Sequence, residues 1–276
     1  MRTIRSLPGA VKRPLVALVA AVIVMAPFLV VPASAVAACG TVSGYWTTLA
    51  GPTFPSGGRA MTDHAVDARS PSRLFATNGT VVMRSTDSGC SWSPVYELGA
   101  QPGPDQPFTN ATADIHSLVV PEGAPGRVLL TIEETVVAAT RPHVVVSSDA
   151  GSSWTVGDSG LPPLGSPEIV VAAPSSPNVV YLGVDLPSRP GTVDGLFASA
   201  DGGVTWQARS QRLAGGIVGM TVDNLVPTEL WAYGSSGLHH STNGGTTFTP
   251  VDDFVGESAG PVDVFRLPGR PPRVLA

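Results

Sequence analysis

Short apolar runs, many alternating with polar residues, recur along the chain and are broken by clusters of Gly, Pro, Ser and Asp. One stretch shows the layout best: "EIVVAAP" from Glu168, a turn "SSPN", "VVYLGV", a loop, "GLFASAD", a tight turn, and "VTWQAR" ending at Arg209. The next stretch repeats it with "GIVGMTVD", "LWAYGS", "GLHHST" and "TTFTPV". A period of two over so few residues marks β-strands, and turn signals this close together mark antiparallel neighbours. The pattern predicts an all-β chain built from units of four strands.

A fixed motif sits between the third and fourth strand of each unit. It reads "STDSGCSW" from Ser85, "SSDAGSSW" from Ser147, "SADGGVTW" from Ser199 and "STNGGTTF" from Ser241. Its acidic position is Asp87, Asp149, Asp201 and Asn243, spaced by 62, 52 and 42 residues. A proline turn precedes each one, at Pro71, Pro125, Pro177 and Pro227, by 16, 24, 24 and 16 residues. Physical chemistry gives the motif a structural part. The carboxylate can accept hydrogen bonds from backbone N–H groups of the turn. Gly89, Gly151, Gly203 and Gly245 supply a positive φ without a Cβ clash. Trp92, Trp154, Trp206 and Phe248 then return to the core, where burying one ring is worth up to roughly 4–6 kcal/mol. Asn243 keeps the acceptor and loses the charge.

Four antiparallel strands per unit of about 40–60 residues are the mark of β-propeller blades. On these four boxes the chain resembles the Asp-box (bacterial neuraminidase repeat) propellers. That superfamily includes sialidases, xyloglucan-active glycoside hydrolases, the sortilin ectodomain and a photosystem II assembly factor. The resemblance runs from about residue 40 to residue 276 and implies four Asp-box blades, roughly 55–97, 110–158, 166–210 and 214–252. A partial fifth blade is expected at 260–276, where "PVDVFRLPGRPPRVLA" offers two strands and no box. The propeller is therefore expected to be incomplete, the front part of a longer protein. The alternative is a small ring closed by the N-terminal strand "GYWTTLAGP". The family shares the box and differs in its chemistry, so the resemblance implies a fold more than an activity.

The N-terminus breaks the strand pattern. Arg2, Arg5, Lys12 and Arg13 precede the apolar run "PLVALVAAVIVMAPFLVV", and "ASA" at 33–35 offers small residues for cleavage. Residues 1–35 thus read as a signal peptide, with an uncleaved membrane anchor as the alternative. Their removal takes the net charge from −5 to −9, because the segment carries four basic residues and no acidic ones. An acidic domain without a basic cluster is a poor nucleic-acid binder. Membrane contact is expected only through this segment or through a missing C-terminal part. Secretion or the cell envelope is the expected location. There the two cysteines, Cys39 and Cys90, suit a disulfide, worth roughly 4 kcal/mol in loop entropy. "VAAC" at 36–39 also resembles a bacterial lipobox, which would place a lipid on Cys39.

Chemistry is expected on the face opposite the boxes, where first strands begin and relatives with ligand sites hold them. Those beginnings read "TDHAV", "ADIHSL", "PEIVV", "GGIVG" and "PVDVF". They place Asp63, His64, Asp114, His116, Glu168 and Asp263 around a channel mouth, as a candidate ligand-binding ring. Carboxylates with imidazoles can bind a cation or polyol, or act as acid and base; polar strand ends are otherwise ordinary solvated residues. Longer loops in units two and three add Glu133, Glu134, Arg141, Asp185, Arg189 and Asp194 to that face. A sialidase would carry an Arg-Ile-Pro segment and a Tyr–Glu nucleophile pair; no Arg-Ile-Pro occurs, and Tyr181 and Tyr233 fall on second strands. His239-His240 falls on a third strand, where one ring is expected to pack. No residue is singled out as catalytic, and no metal or cofactor is expected. The chain reads as an exported binding or protein-interaction scaffold for a carbohydrate or protein ligand. The alternative is a glycoside hydrolase, sialidase-like or xyloglucanase-like, using the channel-mouth carboxylates.

Overall fold

The computed structural model describes residues 51–55, 60–99, 112–137, 139–187, 195–209, 216–234 and 236–251, with the backbone of 265–267 and 273–275. The chain divides into two units, Met1–Ala35 and Val36–Ala276, and every described residue belongs to the second. No described helix is long and apolar enough to cross a membrane.

Blade 1 consists of β1 (Asp63–Val66), β2 (Leu74–Thr77), β3 (Val81–Ser85) and β4 (Ser93–Glu97). Blade 2 consists of β5 (Ala113–Val119), β6 (Val128–Val136), β7 (Ala139–Ser147) and β8 (Thr155–Val156). Blade 3 holds β9 (Ser166–Ala173), β10 (Ser176–Asp185), β11 (Gly195–Ser199) and β12 (Gln207–Ala208). Blade 4 holds β13 (Gly219–Val222), β14 (Leu230–Gly234), β15 (Gly237–Ser241) and β16 (Thr249–Pro250). A two-stranded sheet follows, β17 (Phe265–Leu267) and β18 (Arg273–Leu275). Each sheet is an antiparallel meander in chain order, and the first strands of neighbouring sheets lie side by side.

The cores lie between blades, which explains why the middle strands are apolar on both faces. In β6, Val128, Leu130 and Ile132 pack toward blade 1 with Phe75, Val82 and Tyr96. The intervening Leu129 packs toward blade 3 with Val180, Leu182 and Trp206. Tyr181 and Leu196 of blade 3 meet Met220, Leu230 and Ala232 of blade 4. The two-residue fourth strands β8, β12 and β16 are largely exposed and remain short, as outer edges must to avoid pairing with other chains.

The box is a self-contained turn. In blade 3, Ser199 Oγ accepts from Gly203 N at 2.8 Å and donates to Asp201 Oδ1 at 2.7 Å. Asp201 further accepts from Thr205 N at 2.9 Å and Thr205 Oγ at 2.6 Å. Blades 1 and 2 repeat these bonds with Ser85, Asp87 and Ser91, and with Ser147, Asp149 and Ser153. In blade 4 the hydroxyl bond reverses, and Asn243 Nδ2 donates to Thr247 Oγ at 2.8 Å. Bonds from Ser91 hold the Asp87 pKa at about 2, and those from Ser153 hold Asp149 at about 2. At Asp201 desolvation opposes, but the Thr205 hydroxyl and amide outweigh it and again leave about 2.

Box turns and proline turns share one face. Ser88 N donates to Ser72 O, Ala150 N to Gly126 O, Gly202 N to Asn178 O, and Gly244 N to Thr228 O, at 2.7–2.9 Å. The boxes of blades 2 to 4 also seal the seam to the preceding blade, whereas Trp92 Nε1 of blade 1 donates to Gly89 O of its own turn at 3.1 Å. Trp154 Nε1 donates to Val95 O at 2.9 Å and Trp206 Nε1 to Gly157 O at 2.8 Å. Phe248 packs at the blade 3–4 seam without such a bond.

Candidate functional site

On the face away from the boxes, blades 2 and 3 extend furthest. The nine-residue strands β6 and β7 run on to Val136 and Ala139, whereas the corresponding β2 and β3 have four and five residues. Residues at that end of β6 pair with the start of β5, so Asp114 lies opposite Glu133. The ladder breaks between Ile115 and Ser117, leaving His116 as a bulge residue. A bulge re-aims a side chain. His116 Nε2 accordingly comes within 3.8 Å of Glu133 Oε2 across the sheet.

Blade 3 completes the group. Ser166, at the start of β9, donates its hydroxyl to Glu133 Oε2. Glu168 stands two residues further, at a bulge: the β9–β10 ladder shifts register between Pro167 and Ile169, and its carboxylate takes a side-chain bond from Ser166. Desolvation raises the Glu168 pKa; His116 opposes this, while the negative charges of Asp185 and Glu133 reinforce it. Asp185 pairs with Ser166 in register at the end of β10. Beside this group lies a cleft of about 300 Å³, lined by Thr135, Ala139, Thr140, Leu164, Ser166 and Asp185. Its walls mix hydroxyls, one carboxylate and apolar side chains, a lining suited to orienting a small polar ligand.

The structure therefore brings His116 and Glu168 together with Glu133, Ser166 and Asp185. Asp63 has a different setting. Its Oδ2 accepts from Leu118 N of β5 at 2.7 Å and its Oδ1 from His64 N at 2.7 Å, so it ties blade 1 to blade 2. Desolvation raises its pKa against the pull of those two bonds. His64 is exposed beside it, and Asp114 is half-buried in β5. Asp263, Arg189, Asp194 and Cys39 lie outside the described residues, and the expected Cys39–Cys90 pairing falls there with Cys39.

Both histidines of the His239-His240 pair are engaged. His240 stacks on Trp231 at 4.6 Å and meets Glu229 at 3.1 Å, while His239 contacts Ser236 Oγ at 2.9 Å. Asn78, in a sequon-like "NGT", is buried, and its side-chain oxygen holds the Thr80 and Val81 amides. Among the described residues no group of three or more His, Cys, Asp or Glu is arranged to hold a metal ion.

No protein-family model and no curated protein sequence matches the chain. Solved structures do. An ancestral GH74 enzyme aligns at 15% identity and a TM-score of 0.53, over 75% of this chain and 26% of its own. YCF48 bound to a D1 peptide aligns at 18% identity and a TM-score of 0.47, over 70% of this chain and 53% of its own. A Hadza microbial sialidase aligns at 16% identity and a TM-score of 0.47, over 71% and 45%. The chain spans only about a quarter of the GH74 structures it matches, 25%, 26% and 29% of three of them. At 15% identity the likeness to the ancestral GH74 enzyme shows the fold alone, a β-propeller, as the four boxes imply.

Proposed function

We propose that the chain is an exported β-propeller binding module, secreted or held in the cell envelope, whose carbohydrate or protein ligand docks at the seam of blades 2 and 3. The observation that supports this is the convergence of His116 from β5, Glu133 from β6 and Ser166 and Glu168 from β9 beside the cleft. Hydroxyls, carboxylates and an imidazole can together satisfy sugar hydroxyls or the amides and basic side chains of a peptide. The leader-like residues 1–35 support export. Titration calorimetry of the wild type, Glu168→Gln and Glu133→Gln against xyloglucan oligosaccharides and arginine-containing peptides tests the reading. One ligand class is expected to bind, with each variant weaker by about tenfold or more, which corresponds to about 1.4 kcal/mol. Equal affinity in all three proteins would remove the cluster from the site.

A second reading has its own observation. A carboxyl raised by desolvation and like charge, beside a second carboxylate, is the arrangement of a glycosidase acid and its ionised partner. Glu168 would then be the proton donor and Glu133 the charged partner. Aryl glycoside hydrolysis that is lost in Glu168→Gln would favour this enzyme; no turnover by the wild type would leave the binding module.

A further inference from the structure

Blade 2 carries an ionic group on its other face. Glu133 and Glu134 are neighbours in β6, and the strand pleat sends them to opposite sides of the sheet. Glu133 meets Ser166 of blade 3, whereas Glu134 lies on the side of Ile132, which packs on blade 1. There Glu134 Oε2 is 3.3 Å from His143 Nε2, and His143 Nδ1 is 2.6 Å from Asp158 Oδ2. A neutral imidazole has one N–H and can donate to only one of these carboxylates; the imidazolium donates to both. The Glu134 and His143 side chains are 6% and 12% exposed, so a carboxylate losing its donor here is strongly disfavoured.

Asp158 has a second duty. Its Oδ1 accepts from Val144 N at 2.8 Å, standing in for a strand carbonyl on the outer edge of β7 where β8 has ended. The residues on either side of it carry the seam to blade 3: Gly157 O accepts from Trp206 Nε1 and Ser159 O from Trp206 N, both at 2.8 Å.

We propose that His143 is a protonation-dependent clamp: as the imidazolium it ties the β6–β7 hairpin to the segment that stitches blade 2 to blade 3, and on losing its proton it releases one of the two carboxylates. The groups facing it are Glu134 from β6, Asp158 from the segment after β8, and the exposed Arg141 two residues along its own strand. From blade 1, the Tyr96 phenol and the apolar Val95 and Leu98 pack against the same face. Desolvation works to lower the His143 pKa, but Asp158 and then Glu134 outweigh it and leave it raised. Stabilisation by a group raised on folding is complete below the unfolded histidine value of about 6.5 and is lost as pH rises through the folded-state value. The hairpin also supplies Thr135 and Thr140 to the cleft, yet the clamp stands whether or not a ligand binds there.

Imidazole-resolved NMR on ¹⁵N-labelled protein can follow all five histidines from about pH 5 to about pH 10. His143 is expected to keep both ring protons above the unfolded histidine value of about 6.5. In thermal melts, His143→Gln should fall below the wild type by roughly 2–4 °C or more near pH 6, with the gap closing as pH rises. A His143 that titrates in or below the ordinary histidine range, or a gap that ignores pH, overturns the proposal. Should His143→Gln fail to fold, the wild-type titration decides alone, because it needs no substitution.

Discussion

Gly203 tests whether the box is pressed into the preceding blade or merely sits on a solvated turn. Its φ is +95°, and a Cβ there would lie 2.4 Å from Leu129 Cδ2 and 3.3 Å from Val146 Cγ2, both in the blade 2–3 core. The left-handed backbone costs an alanine about 1–2 kcal/mol. Forcing a methyl into a packed seam adds about 1–3 kcal/mol, so Gly203→Ala should lose roughly 2–5 kcal/mol in all. Gly202 is the internal control. Its φ is +80°, but its Cβ would meet the far end of Arg127, a long side chain that holds Pro177 O and Asn178 Oδ1 outside the packed core, and Ala150 already occupies the equivalent position of blade 2 at φ 61°. Gly202→Ala should therefore cost about 1–2 kcal/mol, the same left-handed strain without a methyl forced into the core. Urea unfolding of the wild type and both variants, read at a common m-value, measures the difference. Equal losses at the two positions would refute the close approach, leaving backbone strain as the whole effect.

Two further predictions concern the same turns. Trp206→Phe removes the N–H that holds Gly157 O and is expected to cost about 1–3 kcal/mol by chemical denaturation, whereas Trp206→Ala should cost about 3–5 kcal/mol; a Phe variant as stable as the wild type would mean that the bond adds nothing to the ring's packing. Asp87, Asp149 and Asp201, each at about 2, contribute stability that is present above the unfolded carboxylate value of about 3.9 and is lost as pH falls through about 2. Carboxyl ¹³C titration should place all three low, and Asn243→Asp should add a fourth; a box aspartate titrating at its ordinary value would contradict the hydrogen-bond pattern.

The blades were legible because box, proline turn and alternating strands state one geometry three times over. Ser88 and Ala150, both at φ near 60°, show where local reading stops. The two later boxes have glycine at that position, Gly202 and Gly244, so the sequence marks the left-handed pair only in half of its copies. Alternating strand direction by itself puts the boxes and proline turns on one face, and four equivalent backbone bonds join them there. Asp63 was harder. Its position at the start of a first strand is why it was expected at a channel mouth, but nothing local says that its carboxylate reaches the Leu118 amide of the neighbouring blade.

Adjacent glutamates show most clearly why the site was only half legible. Glu133 and Glu134 read as one acidic loop feature, and either can be solvated. Their separation rests on two facts of different range. The first is local: β6 continues through Val136, so strict alternation must divide them. The length of that strand could have been inferred from the eight extra residues between proline turn and box in this unit. The second is not local. Which partner each one meets depends on blade 3 offering Ser166 and on a post-β8 segment offering Asp158 to His143, and neither spacing has a signature in the chain. A repeat fold fixes its backbone by repetition, but its chemistry sits where the repeats differ. In this chain that is the long hairpin of blade 2, where one glutamate faces the cleft and the other the clamp.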